Sequence, residues 1–186
     1  MAKAYLEVDE VMRLEQAANN LRDRILIRFL FNLECRIFEV LGVTVDDIDL
    51  GASTITIKHL KARVRLSCPD CGAKLSKSHA YCPKCRIKVV KVVAEENMYH
   101  QMKKLPIDPD TQMMLKEYIE RGGPVIRGGK RLIFGIGRCR AWQIIKQCAE
   151  EARLPRLKNS NTGKLHNISP CKLRNAYQRL QVKDKS

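Results

Sequence analysis

Apolar residues near the start of the chain recur at helical spacing. Val8, Val11, Met12 and Ala18 share one face, and the pattern stops at Asn19-Asn20. Asn20 reads as the cap of a second helix, with Asp23 near its positive end. There Ile25, Leu26, Ile27, Phe29, Leu30, Phe31 and Leu33 leave almost no polar face, which predicts a helix central to the core. A short helical pattern follows over 36–41. Gly51-Ala52-Ser53 turns the chain into a β-branched strand, Thr54-Ile55-Thr56-Ile57, and the alternation over 61–66 reads as its hairpin partner. Strand character resumes over 86–94 and again over 98–107. Pro106, Asp108 and Pro109 stop the sheet and start a helix over 110–121. Past a glycine-rich basic loop, Ala141, Ile144, Ile145, Cys148, Ala149 and Ala152 mark a further helix. Ser169 and Pro170 open the last one, whose buried stripe is Leu173, Ala176, Tyr177 and Leu180. These elements give an α+β fold, mainly helical with a small antiparallel sheet.

The 186 residues suffice for one domain, or one domain with a small insert. Charge is unevenly placed: residues 1–60 carry −3 and residues 61–186 carry +18. Such asymmetry points to a polyanion, most simply nucleic acid. No apolar run is long enough to span a bilayer, so a membrane partner is not expected. The opening residues turn acidic too early for a signal peptide, and eight cysteines without one point to the reducing cytoplasm and to metal chemistry.

Cys68-Pro69-Asp70-Cys71 and Cys82-Pro83-Lys84-Cys85 are two C-x-x-C knuckles ten residues apart. Two such knuckles complete a tetrahedral four-sulfur site, which predicts structural Zn²⁺. Iron and a redox dithiol pair are the other readings of the spacing. Lys74, Lys77, Lys84, Arg86 and Lys88 offset the charge of four thiolates. Because cysteine fills every position, the metal leaves no open site for substrate. Residues 68–85 are too few to bury a core, so metal is expected to fold them as a zinc-ribbon insert. The main body is then 1–67 with 86–186. His79 is expected on the surface and not among the ligands.

Arg36 follows the most apolar helix, where an unpaired charge is expensive. It either forms a structural pair with Glu39 or faces a phosphate. On the last helix Cys171, Arg174, Asn175 and Gln178 share one face beside the apolar stripe. The block from Asn32 to Asp49, a strand, a lysine-bearing hairpin, and Ser-Pro-x-x-Leu-Arg at 169–174 together resemble the tyrosine recombinase (phage integrase) family, Xer-like and archaeal or viral in type. The family pattern N-T-G-x-R-x-x-E-x-x-x-L-x-x-x-D-I-D carries a first catalytic arginine, matched by Arg36. A hairpin lysine is matched by Lys61, with Lys58 as the nearby alternative, and the arginine of H-x-L-R is matched by Arg174. Arg138, Arg140 and Lys172 join the expected DNA-binding surface.

The departures are informative. Cys171 stands where the family has histidine, and Asn175 where a second histidine often follows. The tyrosine nucleophile falls beyond residue 186, since Tyr177 lies on the buried stripe. His166 is a remote stand-in for the missing imidazole. The resemblance implies two arginines gripping the scissile phosphate, a lysine protonating the leaving oxygen, and covalent capture by tyrosine. Three functions remain open: a DNA-integrating recombinase catalytic domain inactive alone, a zinc-ribbon DNA-binding accessory protein on the same fold, or an enzyme completed by a tyrosine from a further recombinase protomer.

Overall fold

The computed structural model describes residues 3–76, 78–159 and 162–183, and their side chains except those of 59–65, 94–101 and 177–183. The elements run α1 (Val8–Gln16), α2 (Leu21–Asn32), α3 (Ile37–Leu41), a 3₁₀ turn (Val45–Asp47), β1 (Ile48–Asp49), β2 (Thr54–Ser67), β3 (Lys74–Leu75) and β4 (Val93–Pro106). They continue with α4 (Pro109–Glu120), β5 (Val125–Arg127), β6 (Lys130–Leu132), α5 (Arg138–Glu151), β7 (Leu157–Lys158), β8 (Leu165–His166) and α6 (Pro170–Lys183). Among the described residues no helix is long and apolar enough to cross a membrane.

The chain divides into two compact units, Met1–Lys58 with Lys103–Ser186, and His59–Met102. In the larger unit α2 is the centre, with Ile25, Leu26, Ile27, Phe29 and Leu30 all buried. Phe29 meets Phe134 edge to face at 5.6 Å. Asn20 caps α2 by accepting the Asp23 N–H at 2.9 Å, and Asp108 caps α4 by accepting the Thr111 N–H at 2.9 Å. One charge interrupts the apolar run of α2 from Ile25 to Phe31. Arg28 is held by Glu15 at 2.8 Å and Asp108 at 3.0 Å, which ties α2 to α1 and to the start of α4.

The sheet departs from the expected hairpin. β1 pairs antiparallel with β2 through Ile48 and Ile55, β3 pairs antiparallel with the far end of β2, and β4 also pairs with β2. Residues 54–67 are one continuous strand. The step from Lys58 to Lys61 contains no glycine, proline, asparagine or aspartate to reverse the chain, so extension continues. Residues 86–92 are likewise not a strand. They close the second cysteine knuckle, and strand pairing begins only at Val93.

Candidate functional site

The corner that carries Arg36 is built by backbone. Below α2, Glu34 adopts a left-handed conformation at φ 52°, at the position where the recombinase pattern has glycine. Cys35 is buried, and its thiol donates to the Leu33 carbonyl at 3.0 Å. Arg36 is the extended N-cap of α3. Its N–H donates to Glu39 Oε2 at 2.8 Å, and its carbonyl accepts from the N–H groups of Glu39 and Val40 at 2.9 and 3.1 Å. The expected Arg36–Glu39 partnership is therefore made by the main chain of Arg36. Its guanidinium takes part in none of the ion pairs of the described residues, and the residue is exposed, because α3 starts one residue after the chain has left the core.

Arg174 comes to the same region on α6, which packs against α2. Leu173 and Ala176 anchor that helix in the core, while Cys171 and Asn175 are exposed. Arg174 is half-buried, and its enclosed Nε has no hydrogen-bond partner among the described residues. Its charge reaches the Cys35 thiol. Burial first, and Glu39 second, push that thiol up to about 11, while Lys103 and Arg174 pull it down. Cys35, Glu39, Lys103 and Arg174 thus share one electrostatic neighbourhood. Lys103 was not singled out from the sequence, although the Lys103-Lys104 pair ahead of Pro106 could have marked it. It lines a groove of about 550 Å³ with Asn32, Glu34, Pro106 and Asp108.

The other sequence candidates are placed unevenly. The Lys61 backbone lies within β2, and its side chain is outside the described residues, as are those of Tyr177, Gln178 and Leu180. Lys58 is committed elsewhere, its Nζ 2.6 Å from Asp47 Oδ1. Asp47 also accepts the Thr44 N–H at 3.0 Å and its hydroxyl at 2.7 Å. Burial alone would raise the Asp47 carboxyl, but Lys58 and Thr44 outweigh it and hold the group below the usual range. The Arg138 guanidinium stacks over the exposed Phe38 ring at 5.4 Å. Arg140 is exposed, and His166 sits exposed in β8.

In the smaller unit the two knuckles face each other. Cys68 and Cys85 sulfurs are 3.7 Å apart, Cys71 and Cys82 sulfurs 3.5 Å, and all four lie within 4.8 Å of one another. Sulfurs about 2.3 Å from one tetrahedral ion are roughly 3.8 Å apart, so the set can hold a metal ion. Both knuckles use the same turn. Gly72 N–H donates to the Cys68 carbonyl and Arg86 N–H to the Cys82 carbonyl, each at 2.9 Å, with φ of 67° and 59°. The Cys85 N–H, then that of Lys84, aim at the Cys82 sulfur and push its thiol down to about 6 despite burial. Cys85 is raised. The Ile87 N–H lowers it, but burial and hydrogen bonds from the other three sulfurs prevail. His79 is exposed, and its Nδ1 accepts the Ser76 N–H at 3.2 Å. Lys74, Lys84, Arg86 and Lys88 are exposed, and Lys77 lies outside the described residues.

No protein-family model matches the chain, and no curated protein sequence matches it. Solved structures do. XerA recombinase is 14% identical with a TM-score of 0.61, the match covering 100% of this chain and 53% of that one. XerH site-specific recombinase bound to its difH substrate in a pre-cleavage complex is 16% identical, TM-score 0.57, over 99% of this chain and 44% of that one. The Tn1549 transposon integrase in complex with transposon right end DNA is 11% identical, TM-score 0.59, over 100% and 55%. The chain spans about half the length of these proteins and shares their fold.

Proposed function

We propose that the larger unit is a duplex-DNA-binding domain of the site-specific tyrosine-recombinase type, in which Arg36 and Arg174 grip a backbone phosphate. The Arg174 guanidinium carries this reading. A donor enclosed on a packed helix without an acceptor costs about 1–3 kcal/mol, and a phosphate oxygen supplies acceptor and counter-charge together. Arg36 adds a second planar donor on a backbone already fixed by Glu39. Likeness to recombinases solved on DNA supports the same substrate class. Lys61 takes the leaving-group role on family order. Cys171, one helical turn before Arg174, occupies the place of the histidine, where a thiol is a weaker hydrogen-bond donor than imidazole. Arg138, Arg140 and Lys172 extend the contact along the backbone. Family order places no tyrosine nucleophile within these 186 residues, so binding without cleavage is expected of them. A nucleophile delivered by a further protomer is the other route to strand exchange.

Titrating a labelled duplex at several salt concentrations tests this. Arg174→Ala and Arg36→Ala should each weaken binding several-fold and lower the salt slope by about one. A flat salt response, or binding indifferent to both substitutions, overturns the proposal. A covalent protein–DNA band in a denaturing gel would show that the chain carries its own nucleophile.

For the smaller unit we propose structural zinc on Cys68, Cys71, Cys82 and Cys85, folding 68–85 as an insert in the recombinase-type fold. One zinc per chain by elemental analysis is the expected result, and visible iron–sulfur absorption would refute it. The exposed Lys74, Lys84, Arg86 and Lys88 favour a second reading, in which a zinc-ribbon accessory protein holds DNA through this unit. Neutralising those four should then matter more than losing Arg36 or Arg174. The DNA-associated cytoplasm fits both readings.

A further inference from the structure

A second groove, at the entry to α6, plays no part in the arginine clamp. It encloses about 530 Å³ and is lined by Trp142 of α5, Arg156 and Asn159 flanking β7, His166 of β8, and Ser169 and Lys172. No carboxylate is among its lining residues. Trp142 is the one tryptophan of the chain and is 41% exposed, whereas indole rings are mostly buried in folded proteins. Its neighbours Ala141, Ile144 and Ile145 are in the core, so the backbone beneath the ring is held firmly. Ser169 and Lys172 share one face of α6, and Cys171 and Arg174 share the next. The groove is therefore adjacent to the arginine face and separate from it.

Two properties coincide here. Arg156 and Lys172 place two cations in one concave space without an acidic partner, which favours an anion. The indole offers a flat π-surface, which favours an aromatic ring. A bare phosphate would leave the indole wet, and an apolar ligand would leave both cations unmatched. A nucleotide satisfies both at once. A base inside a duplex shows the protein only its edges, its faces being covered by neighbouring pairs, so stacking requires an unpaired base. We infer that this groove binds an unpaired nucleotide, its base stacked on Trp142 and its phosphate held by Arg156 and Lys172. The inference rests on the DNA-binding reading above and adds to it a seat for a displaced strand.

Because Trp142 is the sole tryptophan, its fluorescence reports on this groove directly. Single-stranded oligothymidylate should quench it saturably, and a blunt duplex with the same number of phosphates should not. Trp142→Leu should lower the affinity for labelled oligothymidylate about tenfold, with Trp142→Phe retaining most of it. Arg156→Gln, at an exposed position, should weaken the same binding without touching the fluorophore. Equal quenching by the duplex overturns the inference, as does single-strand affinity unchanged by both Trp142→Leu and Arg156→Gln. If oligothymidylate quenches while the duplex fails to bind at all, the groove stands and the phosphate clamp falls.

Discussion

The two units of the chain are stabilised in opposite ways. In the larger one, the apolar side chains of α2, α5 and α6 form the core, and the site residues are attached to its margin. In the smaller one, the buried cluster among the described residues is Cys68, Leu75 and Cys82. Apolar residues such as Ile87 and Val90 remain on its surface. There the functional centre and the core are the same atoms. The larger unit can therefore lose a site residue and stay folded, whereas on the zinc reading proposed above the smaller one should lose its structure with any one of the four cysteines.

Chelation should break the comparison most completely. Structural zinc contributes about 10–16 kcal/mol in small metal-folded domains. Removing the ion, or substituting Cys71→Ser, should abolish amide protection at Gly72, Arg86 and Val89 while leaving α2 protected. Hydrogen exchange followed residue by residue checks this, and protection of the knuckles that survives chelation would refute it. Leu26→Ala is the mirror experiment. It should cost about 3–5 kcal/mol in denaturant unfolding of the larger unit and leave the knuckles untouched.

Acid should separate the units next. Metal binding needs thiolates, whose ordinary pKa of about 8.5 lies far above that of a carboxylate, so protons compete for sulfur and release is expected on mild acidification. Asp47 and Asp108 act lower. Both carboxyls are held below 3.8, so the stability they add is complete above that value and is lost as pH falls through their depressed folded-state range. Melting curves should show the metal-dependent transition vanish first, and Asp47→Asn should flatten the acid limb of the other. The smallest effect distinguishes the two knuckles. Gly72 and Arg86 occupy equivalent left-handed positions, which cost a residue with a Cβ about 1–2 kcal/mol. A Cβ at Gly72 meets nothing within 4 Å, so Gly72→Ala isolates that backbone cost. Arg86→Gly should stabilise the knuckle by about 0.5–1 kcal/mol, net of glycine's greater entropy when unfolded. Thermal titration of the metal-loaded protein would register both.

Local signals were readable in the chain wherever the physics is local. The nearly unbroken apolar surface of α2, the Asn20 cap and the paired knuckles each follow from neighbouring residues. What was not readable depends on distant partners. The alternation over 61–66 predicts a return strand, but these residues continue β2, and its long partner β4 begins only at Val93. Lys103 escaped notice for the same reason, since only folding brings its charge to bear on Cys35. The sequence leaves Arg36 between a pair with Glu39 and a phosphate, and carries no sign of the left-handed turn at Glu34 that precedes its exposed position. Asp47 belongs by sequence to the D-I-D pattern, and only the fold shows that it pairs with Lys58.

The larger unit is interrupted in sequence, its two portions joined through residues 59–102. During synthesis α2 must wait for α6, which is made after residues 59–102, before its surface can be covered. Closing that gap as a loose loop costs entropy that grows with its length, by about 0.6 kcal/mol per doubling. Once the four sulfurs are tied together, much of the intervening chain is already ordered and the effective loop is short. On the zinc reading, the smaller unit thereby acts as an intramolecular clamp on assembly order, shortening the search by which α2 and α6 find each other.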